Sequence, residues 1–313
     1  MATLTSTAAR RLRIGMRSRP RYGSERRLPI GRQLLLQLFL IIVTFTVLFP
    51  VLWILSMALD PRGLSRPQDL TLIPPGATLA AFATVIEQPT ANPVSFPILM
   101  FNSFKLAVGT SLVSLAIGVM AAYAFSRLRF RFRQTLMIVI LGVLMLPAIA
   151  TIAPLFVQLN QITIGEFNLR NSLYGVGLAI VSGALPFAIW NLKGYLDTIP
   201  RELEEAAIID GASRNQVFLR VILPLATPAL AVTGFLGFVA GYTEYYFSWT
   251  FLRQPDDFTL AMALASMVGQ YARTTPWGEF AAFALLFAAP VSIVYLFLQR
   301  YIVSGLAIGG VKG

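Results

Sequence analysis

Asp197-Thr-Ile-Pro-Arg-Glu-Leu-Glu-Glu-Ala-Ala-Ile-Ile-Asp-Gly-Ala-Ser-Arg-Asn-Gln-Val-Phe-Leu-Arg-Val-Ile-Leu-Pro224 is a charged stretch set between two long apolar runs. Its punctuation is that of two short helices around a turn. Pro200 suits a first helical position, where a missing N–H is no loss and φ is already helical. Glu202, Glu204 and Glu205 follow, where the positive end of a helix dipole favours carboxylates. Leu203, Ala206, Ala207 and Asp210 share one face by helical spacing. Gly211 suits the position just past a helix end, and Ser213 with Gln216 makes a capping box that starts a second helix. Val217, Phe218, Val221 and Ile222 form that helix's apolar stripe, and Leu223-Pro224 marks its end or the entry to the next run. Small alanines on a short amphipathic helix let another surface approach closely, which suits docking into a groove of a soluble partner. A helical hairpin lying on a membrane surface fits the same residues.

The flanking runs have the length of membrane spans, which need about 20 mostly apolar residues each. No charged residue lies between Arg32 and Asp60, Lys105 and Arg127, Arg133 and Glu166, Arg170 and Lys193, Arg220 and Glu244, or Glu279 and Arg300. Six transmembrane helices are expected, at roughly 34–57, 98–124, 135–158, 172–192, 226–251 and 280–302. Strands would show alternating polarity in ~10-residue pieces. These runs are apolar on every face, so the expected fold class is an all-α polytopic membrane protein, with 193–225 as the loop between the fourth and fifth spans. A shorter run, Phe258 to Ala272, is expected to lie at the interface or to pack on the bundle. Pro50, Pro147, Pro154, Pro186 and Pro290 sit inside apolar runs. Each frees a carbonyl, to be satisfied by a packed neighbour at a kink or by a water-lined cavity at a broken helix. Gly237 and Gly241 form a G-x-x-x-G, which admits a second helix at close range.

Of the 313 residues 56% are hydrophobic and 12% charged, and the net charge is +11. An average soluble domain carries roughly twice that charged fraction. The positive charge is also localised. Residues 1–33 hold +8 (nine Arg against Glu25), residues 127–133 hold +4, and the remainder sums to −1. This is no nucleic-acid surface. Arg127, Arg129, Arg131, Arg133, Lys193, Arg201, Arg214 and Arg220 fall on the same side as the N-terminal cluster, whereas the opposite loops dilute their few arginines with acids. The positive-inside rule then places both termini in the cytoplasm. The expected organisation is a basic segment 1–33, suited also to anionic headgroups, a transmembrane domain 34–303 and a cytoplasmic tail 304–313. Residues 1–24 share their composition with transit peptides, and Ser24-Glu-Arg-Arg27 with twin-arginine signals. The apolar run that follows is too long for a signal-peptide core, so a non-cleaved first helix is the plainer account.

There is no His and no Cys. That excludes imidazole general bases, Ser-His-Asp triads, thiolate nucleophiles and His or Cys metal sites. No G-x-x-x-x-G-K-[ST] run occurs, so ATP is not expected to bind through a P-loop. A carboxylate or Lys could still do chemistry, but the menu is short.

Glu205-Ala206-Ala207-x3-Gly211-x9-Val221-x-Leu223-Pro224 resembles the EAA signature of the permease subunits of binding-protein-dependent ABC importers. The family pattern is E-A-A, three residues, G, nine residues, I-x-L-P, and only Val221 departs from it. A finer resemblance, to sugar permeases of the maltose/maltodextrin MalG type, runs through Asn102-Ser103 with Lys105, Ala122-Tyr-Ala-Phe-Ser-Arg127, Lys193-Gly-Tyr195, Arg300 and Gly309-Gly310-Val311-Lys312-Gly313. The resemblance implies a MetI-like permease fold in a bacterial inner (plasma) membrane. It implies half of a translocation pathway for maltose/maltodextrin or a related oligosaccharide. It also implies a non-catalytic subunit with no cofactor of its own and three kinds of partner beside the bilayer: a second permease completing a heterodimer, two ATPase subunits that bind ATP and Mg, and a periplasmic or lipid-anchored sugar-binding protein. Glu204, Glu205, Ala206, Ala207, Asp210 and Gly211, with Leu223 and Pro224, become the coupling residues toward the ATPase. Gly309, Gly310, Val311, Lys312 and Gly313 become a tail that reaches the ATPase dimer, where the residues alone would equally fit a disordered end.

Two further sets stand out. Glu244 is the only acid well inside an expected span, and intramembrane acids are functional candidates. With Tyr242, Tyr245 and Tyr246 it could line a sugar path, since aromatic faces pack on sugar C–H surfaces. An interfacial aromatic belt fits these residues too. Arg253, Gln254, Pro255, Asp256 and Asp257 occupy a position resembling the loop that maltose-type permeases offer to the binding protein, and a solvated turn competes. Pro-rich 58–97 could add to that face. An ion-coupled secondary transporter or channel is the alternative function. It calls for several buried acids or amides near the midplane, and it leaves the 193–225 loop unexplained.

Overall fold

A computed structural model describes residues 29–63, 71–268 and 275–309, with side chains as far as 302. The basic N-terminal segment before residue 29 and tail residues 310–313 lie outside the described residues. The first helix, α1 (Ile30–Leu59), carries no charge after Arg32 and contains Pro50 without interruption. Residues up to Val51 form one unit and those from Leu52 onward a second. In the first unit every described position is exposed, and the hydroxyl of Thr46 is satisfied by the Ile42 carbonyl one turn back, at 2.9 Å.

In the second unit α2 (Ala80–Glu87) precedes α3 (Phe96–Arg127). Then come α4 (Arg133–Val143), a 3-10 turn at Ala148–Thr151 and α5 (Ile152–Asn160). A two-residue hairpin pairs β1 (Thr163–Ile164) antiparallel with β2 (Phe167–Asn168), Thr163 opposite Asn168. Its turn uses Gly165 at φ +61°. Next are α6 (Leu173–Leu196) and α7 (Glu202–Ile209). The second loop helix, α8 (Arg214–Val217), continues through a π turn, Phe218–Ile222, into α9 (Leu223–Leu225). After them follow α10 (Thr227–Tyr242), α11 (Tyr246–Phe251), α12 (Leu260–Ser266) and α13 (Trp277–Gly309).

The helix α3 is central, packing along α6 and α10, while α10 also packs on α13. Without a hydrophobic force between helices in lipid, close backbone approach has to hold such an interface. Both glycines of the G-x-x-x-G motif face α3. A Cβ at Gly241 would lie 2.8 Å from the Ala107 Cα, and one at Gly237 would lie 3.3 Å from the Ser111 Cα. The Ser111 hydroxyl donates to the Gly234 carbonyl at 2.7 Å in the same seam. Three apolar clusters fill the unit. One gathers Leu99, Phe238, Tyr242, Leu260 and Phe283. A second joins Ala122, Leu192, Leu196, Val217 and Ile222. The third holds Leu106, Val176, Phe251 and Met262.

Among the described residues four helices are continuous and apolar enough to cross a membrane: α1, α3, α6 and α13. The expected third run is broken instead, and the fifth passes only together with residues 214–225, from which it is bent; six crossings result only if each bent pair counts as one. The third turns by 98° between α4 and residues 148–160. There the N–H groups of Leu144, Met145 and Leu146 donate three residues back, tightening the last turn. Pro147 follows in extended conformation, as a residue with no N–H and a fixed φ readily does. Pro186 and Pro290 lie inside helices that continue. The chain also turns by 76° between residues 214–225 and 227–251. The run from Phe258 becomes α12, whose Leu260, Ala261, Met262 and Ala263 are buried against the bundle; residues 269–272 lie outside the described residues.

Candidate functional site

The 193–225 loop folds much as its local signals imply. Arg201 is the N-cap of α7, so Pro200 precedes the cap rather than filling the first turn. Gly211 takes φ +88°. The N–H of Gly211 donates to the Ile208 carbonyl at 3.0 Å and that of Ala212 to Ala207 at 2.9 Å, the pair of bonds that defines a Schellman end. The capping box is complete, with Ser213 and Gln216 bonded both ways. Val217 and Ile222 are fully buried, and Phe218, Val221 and Leu223 pack against them. Pro224 sits in the short turn of α9, just before the 76° bend.

The two faces of α7 differ sharply. Glu204 points into the bundle and Ala207 packs beside it, while Leu203, Glu205, Ala206, Ile209 and Asp210 are exposed, Ile209 at 85%. Glu204 is thus set apart from the other residues of the EAA run. Its carboxylate pairs with the Arg127 guanidinium, and the side chains are only 12% and 7% exposed. The Tyr123 hydroxyl donates to its other oxygen at 3.3 Å. The Arg127 Nη2 donates to the Ile199 carbonyl at 2.9 Å, just before the helix. Alongside, Ser126 donates to Asp197 at 2.6 Å and Lys193 pairs with Asp197 at 2.5 Å. Burial opposes ionisation of Asp197, yet these two hydrogen bonds and the charges of Lys193 and Arg127 together outweigh it and hold its carboxyl below the usual range. From sequence Arg127 reads as one of four topological arginines and as the end of the Ala122–Arg127 resemblance, with no partner assigned. The signal that it is more is Glu204 itself, an acid three residues before an alanine on the buried face.

At the other end of α3, the candidate sugar-path residues separate. Tyr242 is fully buried, its ring packed among Phe104, Phe238 and Phe287, so it belongs to the core. Glu244 caps α11. Its carboxylate accepts from the N–H groups of Phe247 at 2.6 Å and Ser248 at 2.9 Å, and from the Ser248 hydroxyl at 2.6 Å. Tyr246 is exposed, and the Tyr245 ring contacts both Tyr246 and Trp249.

Arg253, Gln254 and Asp256 are exposed around a 3-10 turn at Pro255–Asp257. Burial pushes the Asp257 carboxyl up; Lys105 opposes the shift and Asp256 adds to it. A cavity of about 290 Å³ opens beside this turn, lined by Thr90, Asn92, Trp249, Leu252, Phe258 and Ser266 among others. Gly309 is the last residue of α13. Gly310, Val311, Lys312 and Gly313 lie outside the described residues.

The family model described as "Binding-protein-dependent transport system inner membrane component" matches residues 114–308. The "Trehalose/maltose transport system permease protein MalG" of Thermococcus litoralis is 34% identical over 284 residues, covering 90% of this chain and 98% of that protein. The "Maltose/maltodextrin transport system permease protein MalG" of Escherichia coli K12 is 34% identical over 294 residues, covering 90% and 97%. Among solved structures, a bacterial ABC transporter involved in the import of the acidic polysaccharide alginate superposes with a TM-score of 0.69 at 23% identity, over 87% of this chain and 96% of that one; that similarity shows the fold. The chain belongs to the inner-membrane permeases of binding-protein-dependent ABC transport systems, as a non-catalytic, multi-pass subunit whose relatives are the MalG-type maltose/maltodextrin permeases.

Proposed function

We propose that this permease forms half of the translocation pathway of an ABC importer for maltose/maltodextrin or a related oligosaccharide, and that α7 couples it to partner ATPase subunits. The observation that carries the coupling role is the asymmetry of α7: one face tied into the bundle through Glu204, the other presenting Glu205, Ala206, Ile209 and Asp210. A short helix so anchored passes a push on its free face straight to α3. The termini and the 193–225 loop then lie in the cytoplasm. Two ATPases hold ATP and Mg there, and a second, non-identical permease completes the cavity. Closure of the ATPases on ATP tips the two permeases between outward and inward states as rigid bodies. The 253–257 turn faces a sugar-binding protein on the other side; an alginate transporter of this fold has been solved in complex with its sugar-bound periplasmic protein. With the Glu244 carboxylate engaged as a helix cap, the ion-coupled alternative loses its one candidate site.

Gly211→Pro tests the coupling role. Proline cannot adopt φ +88° and lacks the N–H given to Ile208, so the end of α7 unwinds. Sugar uptake is expected to fall to background while membrane insertion persists. Uptake at the wild-type rate would overturn the reading.

A further inference from the structure

Residues 253–258 form a polar turn between two pairs of buried residues. Phe251 and Leu252 are buried before it, and Thr259 and Leu260 after it. Six residues between such anchors could still adopt many shapes. Here the backbone is fixed by side chains distant in sequence and supplied by two separate elements.

From α3 the Asn102 amide donates to the Asp256 carbonyl at 2.6 Å and to the Phe258 carbonyl at 3.0 Å, and the Ser103 hydroxyl accepts from the Leu260 N–H at 2.8 Å. Asn102 and Ser103 are both buried. Ahead of α6, the Arg170 Nη1 donates to the Phe251 carbonyl at 3.0 Å, and Asn171 Oδ1 accepts from the Arg253 N–H at 2.9 Å. Arg170 is itself held. Its Nε donates to Asn160 at 3.0 Å, its guanidinium lies 4.8 Å over the Phe156 ring, and the residue is 6% exposed.

Burying the Arg170 guanidinium and the Asn102 amide is costly unless their N–H groups are satisfied, and the acceptors that satisfy them include backbone carbonyls of this segment: Phe251 for Arg170, Asp256 and Phe258 for Asn102. Between these clamps only Arg253, Gln254 and Asp256 are exposed.

We propose that Asn102 and Arg170 are positioning residues for engagement of the sugar-binding protein: they hold the 253–258 turn in its engaging shape before the partner arrives. This rests on the reading of that turn as a binding-protein contact. A prefolded turn loses less conformational freedom on association, so its clamps act on affinity rather than on the later transport step.

The test uses the assembled transporter in lipid nanodiscs, titrated with sugar-loaded binding protein. It follows the half-saturating concentration and the maximal rate of stimulated ATP hydrolysis. Asn102→Ala and Arg170→Met are expected to raise the half-saturating concentration about ten-fold at an unchanged maximal rate, with Arg170→Lys recovering part of the loss. An unchanged half-saturating concentration in both variants, or a fall in maximal rate alone, overturns the positioning role. The triple variant Arg253→Ala, Gln254→Ala, Asp256→Ala leaves the clamps intact. If it too leaves the half-saturating concentration unchanged, the docking reading itself falls. If it raises that concentration while the clamp variants do not, only the positioning role falls. Should Asn102→Ala fail to assemble, Asn171→Ala, which removes a partly exposed acceptor, decides by the same readout.

Discussion

The 193–225 loop and the 251–260 segment are both held by side chains of α3, at opposite ends of that helix and by different chemistry. At the Arg127 end the hold is ionic: a buried guanidinium and a buried carboxylate face each other. At the Asn102 end it is neutral, an amide and a hydroxyl meeting backbone groups. The two differ in what is left when one partner is lost. A buried charge stripped of its counterion has no water to turn to, whereas the Asp256 carbonyl, on an exposed residue, can be rehydrated. The ionic hold is therefore brittle and the neutral one graded. That suits a joint that must transmit a push at one end and a contact that must be kept in shape at the other.

The largest effect should come from breaking the ionic end. Glu204→Leu or Arg127→Leu alone is expected to destabilise the assembled, detergent-purified transporter by about 3–5 kcal/mol, the usual cost of orphaning one member of a buried pair. The double variant should be milder than either single one. A thermal-melting double-mutant cycle in which the two losses simply add would show that the pair is not coupled. A smaller cost, about 1–2 kcal/mol, is expected for Asn102→Ala in the same assay. A loss as large as that at Arg127 would erase the proposed contrast. The smallest effect concerns Asp197, whose side chain is 42% exposed. Its carboxyl is held below the ordinary range in the folded chain, so its contribution is present above that range and is lost as pH falls through the folded value. Asp197→Asn should destabilise slightly and equally at pH 7 and pH 5, by less than about 1 kcal/mol, read as a small drop in melting temperature. The difference should shrink below about pH 4. A cost that grows on acidification would contradict the assignment.

Legibility in sequence followed the range of the interactions. The ends of α7 and α8 depend on residues within one turn, so Gly211, Ser213 and Gln216 announce them. The continuous helices reveal themselves as charge-free runs, because in lipid the polar backbone must be satisfied within a helix or a closed barrel, and a barrel would need alternating polarity. Pro147 is a residue whose effect its neighbours in sequence do not decide. Any of the inner prolines can kink or break a helix, and the outcome turns on which neighbours satisfy the freed groups, which only the packing decides. The clamps were hidden for the same reason. Asn102 meets carbonyls 154 and 156 residues away, and no local pattern marks such a meeting. Glu244 was conspicuous as an acid in an apolar run, yet its partners are the next helix's own N–H groups, a use that becomes visible only once α10 is seen to stop at Tyr242.

One feature of α3 ties the two ends together. It is a single uninterrupted helix from Phe96 to Arg127, so Asn102 and Arg127 sit at opposite ends of one rod roughly 38 Å apart at a rise of about 1.5 Å per residue. If engagement at one end tilts this rod, the free energy of that tilt is shared with whatever grips the other. Thermodynamic reciprocity then demands that the two grips strengthen or weaken each other by the same factor. In the proposed importer, the binding protein would report its arrival to the ATPase through one helix, and nucleotide would set the binding protein's affinity through the same helix in reverse.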